Sequence, residues 1–282
     1  MIYSDALALS IGNTIRTRLP GPLATLTIFT LKQAWACLFG ASLLAAMIVT
    51  RMIWQDDWSL ARYDALLIFA LVLQASFVWL RLETWTEVRV IALFHITGTA
   101  MEIFKVHAGS WAYPEPGFFK IYDVPLFSGF MYAAVGSFMA RVIRLFDMSF
   151  TPFPPRALHF AFAALIYLNF FMHHFVVDMR YALFAGTILL YGRTRIWFCI
   201  SHRWYWMPLP VAAFLSSFFL WLAENIGTMT GTWLYAGQNP FDAVSFAKMG
   251  SWYLLLYVAF ATVSLVVRLG DAPRTKGTTY RV

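Results

Sequence analysis

Apolar residues run in long blocks along this chain, broken by short polar stretches. A helix that crosses a bilayer needs about 20 mostly apolar residues. Eight blocks qualify, at 31–50, 63–80, 90–106, 124–143, 157–175, 181–200, 207–229 and 246–267. The sixth fits least well, because Arg193 and Arg195 lie inside it. The pattern predicts an all-α, polytopic membrane protein of about eight transmembrane helices. Residues 1–30 carry Arg16, Arg18 and a Leu-Pro-Gly-Pro stretch ending at Pro22, and are expected to lie on the surface. A membrane domain is expected over 31–268, with halves at 31–145 and 156–268, followed by a cytoplasmic tail at 269–282.

Composition agrees with this reading. Of 282 residues, 60% are apolar, 18% aromatic and 12% charged, with mean hydropathy +0.65. Soluble domains are about 25% charged, so a soluble enzyme, a coiled coil and a disordered chain are all excluded as readings. The net charge of +7 does not point to nucleic acid, because the basic residues sit at the ends of apolar blocks. Sorted by connection, 15 of the 21 fall on one side of the expected membrane and 6 on the other. The positive-inside bias then puts both termini in the cytoplasm. The N-terminus lacks a basic start followed by a compact apolar run, so a cleaved signal peptide is not expected. Cys37 and Cys199 both lie in apolar stretches, which argues against a disulfide framework or a cysteine metal site.

One pattern occurs twice. Residues 102–113 read EIFKVHAGSWAY and residues 224–235 read ENIGTMTGTWLY, both fitting E-x6-G-[ST]-W-x-Y without a gap. Glu102, Gly109, Trp111 and Tyr113 thus correspond to Glu224, Gly231, Trp233 and Tyr235, at a constant offset of 224 − 102 = 122 residues. Four expected helices separate the copies, so both fall on the same side. The chain reads as two four-helix halves in parallel orientation, related by an axis along the membrane normal.

A carboxylate inside a bilayer is costly and faces the bundle interior with a partner. Glu102 and Glu224 are therefore candidate catalytic residues, one acting as acid and the other as base, because burial favours the protonated carboxyl. A purely structural role in helix–helix bonding stands beside this. Lys105 shares a helix face with Glu102, and His95 lies two turns earlier. Trp111, Tyr113, Trp233 and Tyr235 are either interfacial anchors or inward-facing groups that stabilise a cation. With His95, Lys105 and Asn225 they form the candidate substrate-binding set. A second cluster, NFFMHHFVVDMRY at 169–181, pairs Asn169 with His173 and His174 with Asp178 at helical spacing. With so few good ligands it reads better as a polar helix end than as a metal site. No P-loop, dinucleotide fingerprint, G-x-S-x-G or H-E-x-x-H occurs, and no cofactor is implied.

The runs TAMEIFKVHAGSWAYPEPGFF, VPLFSGFMYAAVGS, YLNFFMHHFVVD and WLAENIGTMTGTWLY resemble the YoaT-type bacterial membrane proteins, the family called domain of unknown function 817. The resemblance runs from about Lys32 to Arg268 and implies a multi-spanning bacterial membrane protein. The motif is also distantly similar to the lycopene cyclase domain and to membrane carotenoid hydratases. Those have an acidic residue late in a helix, then G-x-W-x-Y, then a proline opening the next helix. Their pair of acids after that proline is replaced here by Phe127 and Ser128, and the second copy, Asn239-Pro240-Phe241-Asp242, keeps one acid. The likeness therefore implies architecture. Three functions follow as expectations: an enzyme acting on an isoprenoid- or carotenoid-like lipid, a transporter of a small solute or proton, and a non-catalytic membrane subunit or assembly factor. The expected partners are the lipid bilayer and a lipid-soluble or small-molecule substrate.

Overall fold

Helix boundaries fall where the sequence supplies stops and starts. The computed structural model describes residues 2–55, 57–172, 175–201, 203–237 and 242–269. Among these, ten helices form: α1 (Ile2–Arg18), α2 (Gly21–Ala36), α3 (Leu38–Ile53), α4 (Arg62–Trp79), α5 (Trp85–His107), α6 (Phe127–Leu145), α7 (Arg156–Met172), α8 (Arg180–Tyr191), α9 (Leu209–Met229) and α10 (Phe246–Ser264). Thr84 opens α5 with a capping box, its hydroxyl accepting from the Glu87 amide while the Glu87 carboxylate accepts from the Thr84 amide. Pro210 sits in the first turn of α9, where its missing N–H costs nothing.

Seven of the eight apolar blocks contain a helix within a few residues of its expected place. The first is not one straight span, because α2 and α3 meet at Cys37 with a bend of 65°. The sixth differs more. Helix α8 stops after 12 residues at Tyr191, about 18 Å at 1.5 Å per residue. Beyond Gly192 the chain turns to strand. β5 (Arg195–Ile200) pairs antiparallel with β6 (Arg203–Pro208) and with β4 (Ser149–Thr151). The arginines that interrupted the block explain this, since they sit among aromatic and β-branched residues that favour a pleated surface. The fold is thus mostly helical rather than all-α. Shorter two-residue strands are β1 (Trp111–Ala112), β2 (Lys120–Ile121), β3 (Val124–Pro125) and β7 (Leu234–Tyr235).

Among the described residues, α4, α9 and α10 are long and apolar enough to cross a membrane, and the bent α2–α3 pair makes a fourth if counted as one. The outer surface is strongly apolar. Leu189, Trp79 and Met52 are 88%, 82% and 80% exposed, and exposed apolar surface of this kind marks a face that meets a membrane or a partner. Of the segment read as surface, 2–18 and 21–30 are helical, and Ile28 packs with Val142, Phe146 and Phe198. Lys32 reaches the ends of α6 and β5, donating to Leu145 O at 2.8 Å. His173, His174, Asn239, Pro240, Phe241 and the tail from 270 onward lie outside the described residues.

The centre of the molecule is the α5–α6 pair. Gly98 on α5 lets Tyr132 of α6 approach, and a Cβ there would stand 2.7 Å from that ring. At the far end of the same pair, Arg141 and Glu83 form a fully buried ion pair at 2.7 Å, with Gln74 and Ser137 also bonded to the Glu83 carboxylate. Gly98→Ala is expected to push Tyr132 aside and lower stability by about 1–3 kcal/mol. Thermal unfolding in detergent checks this against Gly21→Ala, whose added methyl meets nothing within 4 Å.

Candidate functional site

Helices α5 and α9 end in the same way. Ala108 N donates to Phe104 O, Gly109 N to Val106 O and Ser110 N to Lys105 O. In the second copy Thr230 N donates to Ile226 O, Gly231 N to Thr228 O and Thr232 N to Gly227 O. Each bond maps onto its counterpart by the 122-residue offset. Gly109 and Gly231 have φ of 68° and 63°, a conformation that glycine adopts without a Cβ clash. The turns then run into β1 and β7, which pair antiparallel, with Trp111 opposite Tyr235 and Ala112 opposite Leu234. Ala112 and Leu234 are themselves 122 residues apart, so equivalent positions face each other. Both motifs therefore lie at one end of the molecule.

These turns bring aromatic donors back onto the glutamates. Glu102 Oε2 accepts from Trp111 Nε1 at 2.7 Å and from the Tyr113 hydroxyl at 2.8 Å. Its Oε1 accepts from the Tyr132 hydroxyl at 2.5 Å. Glu224 accepts from the Tyr235 hydroxyl and, at 2.6 Å, from Trp252 Nε1. An indole N–H can only donate, so each glutamate is read as an acceptor. Burial, followed by the charge of Glu102, holds the Tyr113 hydroxyl well above the usual phenol range; burial and Glu224 do the same to Tyr235. Both phenols therefore keep their protons and serve as donors.

The two glutamates form one connected unit. Trp111 bonds Glu102 and meets the Tyr235 ring edge-on at 5.8 Å, and Tyr235 bonds Glu224. The start of α4 clamps both loops to the bundle. Asp64 accepts from the amides of Phe118 and Phe119 at 2.8 and 2.9 Å, and Arg62 pairs with Glu115 at 2.7 Å. Tyr63 donates to Thr232 O at 2.8 Å.

Glu102 and Glu224 line a single cavity of about 1230 Å³, whose walls are predominantly apolar. Ligand sites commonly measure about 300–1,000 Å³, so this one is large. Of the residues singled out from sequence, Glu102, Glu224, Lys105, Trp111, Tyr113, Trp233 and Tyr235 all line it. His95 and Asn225 do not. His95 packs against Phe130 at 4.4 Å, and Asn225 tethers a loop by accepting from Val244 N at 2.9 Å. Trp233 leaves its glutamate alone and lies against Gly227, whose missing side chain makes room for the ring. Asn169 bonds Asp178, and among the described residues no group of three metal-ligating side chains converges. Sequence reading missed Tyr132 and Trp252, which reach in from the following helices, 30 and 28 residues beyond their glutamates. Aromatic residues at matching depth in the next helix of each half were the available signal.

Comparison with known proteins gives one family. The family described as "Protein of unknown function (DUF817)" matches residues 25–260. The chain is also 41% identical over 249 residues to "Uncharacterized protein YoaT" of Bacillus subtilis (strain 168), covering 88% of this chain and 94% of that one. No solved structure matches.

Removing one donor leaves a buried carboxylate short of a partner. Tyr113→Phe and Trp252→Phe should each cost about 1–3 kcal/mol. Unfolding in detergent with the single variants checks this, and a loss of a few tenths or less would show that the donors are dispensable.

Proposed function

We propose that this chain, which belongs to the DUF817 family, is an integral membrane enzyme that takes an isoprenoid-like lipid into its cavity and acts on it by acid–base chemistry at Glu102 and Glu224. The observation that carries this reading is that both glutamates of the duplicated motif open on one large apolar cavity, joined by aromatic rings. Protonating a C=C bond needs a carboxylic acid kept from bulk water. The carbocation that results needs π faces and a nearby negative charge. One glutamate gives a proton to an alkene carbon; the other takes one from the adjacent carbon or from an attacking water. The proton balance closes without an oxidant or reductant. Trp111, Tyr113, Trp233 and Tyr235 line the same cavity as the glutamates, which supports a role for their rings in holding that cation.

The finer architecture belongs to the same proposal. The chain makes eight crossings of the bacterial inner membrane as two parallel four-helix halves, with the bent α2–α3 pair as one crossing and α8 as part of the sixth. The repeated helix-end bonding and the Ala112–Leu234 register support a two-fold relation between the halves. The 15-to-6 split of basic residues supports cytoplasmic termini. Reporter fusions at Gly117 and Val282 should then signal outward and cytoplasmic positions respectively; a reversed pair rejects this topology.

Function is tested by deleting the gene and comparing lipid and water-soluble metabolite profiles. A lipid species should accumulate on deletion. Wild-type protein should clear it, while Glu102→Gln and Glu224→Gln, present in the membrane at normal levels, should not. Glutamine keeps the volume and most hydrogen bonding but cannot cycle a proton. Restoration by either variant would make the glutamates structural. An unchanged lipid profile with an altered solute pool would favour transport instead.

A further inference from the structure

Helices α3 and α9 are tied together at the motif end. Arg62 donates to Met47 O at 3.5 Å, and to Thr230 O and Thr232 Oγ1 at 3.4 Å. A Cβ at Gly231 would stand 3.9 Å from Arg51 Cζ. The other end of α3 is held elsewhere. The 65° bend at Cys37 sets α2 against α6 and β5, where Ile28 packs with Val142 and Phe198 and Lys32 bonds Leu145 O. Cys37 to Arg51 and Leu215 to Met229 are each 14 residues, about 21 Å along a helix at 1.5 Å per residue. The bend and the first half of α9 therefore lie at similar depth below the tie. At that depth the cavity reaches the surface. Ala34, Cys37, Ala41, Leu215 and Phe219 line the cavity and are also exposed, Leu215 and Phe219 by 50% and 68%. Residues 33–50 and 204–223, which supply both rims, contain no charged side chain. From Leu215, Glu224 is nine residues further along α9, about 14 Å.

An opening rimmed only by uncharged, mostly apolar side chains, on a helix long and apolar enough to cross a bilayer, faces hydrocarbon rather than water. We infer that the cavity is loaded sideways: an isoprenoid chain dissolved in the membrane passes between α3 and α9 at the bend around Cys37 and slides along the cavity towards Glu102 and Glu224. This rests on the lipid reading above and adds the route by which the ligand arrives. The end of the chain that enters first is then the end that meets the carboxylates.

The test uses the full-length protein in nanodiscs, with Cys199→Ser leaving Cys37 as the single thiol. Retinol, an isoprenoid alcohol, is the probe, and its entry is followed by energy transfer from tryptophan, to which Trp111, Trp233 and Trp252 in the cavity wall contribute. An obstacle on the way in slows entry and exit alike. Alkylating Cys37 with a pyrene maleimide dissolved in the bilayer should therefore slow association and dissociation both by about tenfold, with affinity moving by less than about twofold. Ala41→Phe should act in the same direction. Val49→Phe, which adds a similar ring to an exposed position of α3 away from the cavity, should change neither rate. Bound retinol should protect Cys37 from the maleimide. Unchanged rates after alkylation would overturn the sideways route and leave the lipid reading standing. Weaker affinity with an unchanged association rate would make Cys37 and Ala41 part of the cavity wall and reject them as the rim. Labelling of Cys37 by a charged, water-soluble maleimide as fast as by the pyrene reagent would show that the opening faces water, and the route from the membrane would be rejected. Failure of the unmodified protein to bind retinol would remove both the route and the lipid reading.

Discussion

A carboxylate shut away from water needs donors that stay in place. Satisfying Glu102 sets the terms for everything around it. Its partners come from three places: strand β1, the residue just beyond that strand, and the facing helix α6. For Trp111 to return to the helix that precedes it, the chain must reverse sharply, which the positive φ of Gly109 allows. For the Tyr132 hydroxyl to reach from α6, that helix must come close, which the bare Gly98 allows. A buried acceptor left without partners costs about 1–3 kcal/mol, more when charged, which is a large share of the stability of a typical domain. Two glycines and three aromatic residues are thus fixed by one side chain.

The opposite end of α5 and α6 solves the same problem with a formal cation. There Glu83 meets Arg141 rather than phenols and indoles. An arginine fully neutralises its partner and fixes the helix ends. Neutral donors hold a carboxylate while leaving its charge available to something else in the cavity. That contrast separates a carboxylate neutralised by a cation from one held by neutral donors at a cavity wall.

Much of this was legible from the sequence. Block length and composition located seven helices, because apolar runs of about 20 residues have few other uses. The repeat located both glutamates and the turns that follow, since glycine and aromatic positions at fixed spacing encode a backbone reversal. What was not legible depended on packing between distant segments. Tyr132 and Trp252 carry no local mark that they reach a glutamate in the preceding helix. The role of Arg62, Tyr63 and Asp64 in anchoring two loops depends on residues as far away as Thr232. His95 and Asn225 had suggestive neighbours along the chain, but helix rotation turned them to packing and loop support. The sixth block misled because hydrophobic content alone does not distinguish a buried helix from an aromatic hairpin.

The pairing of Ala112 with Leu234 has a consequence for chemistry. Two identical subunits meeting in that register would present carboxylates with identical surroundings. Within a single polypeptide that equivalence is free to lapse. The two sets of surroundings differ here: Trp111 bonds Glu102 from its own motif, whereas Glu224 is bonded by Trp252 and not by Trp233. Joining both copies in one chain lets mutation act on each carboxylate separately, so the surroundings of Glu102 and Glu224 need not match.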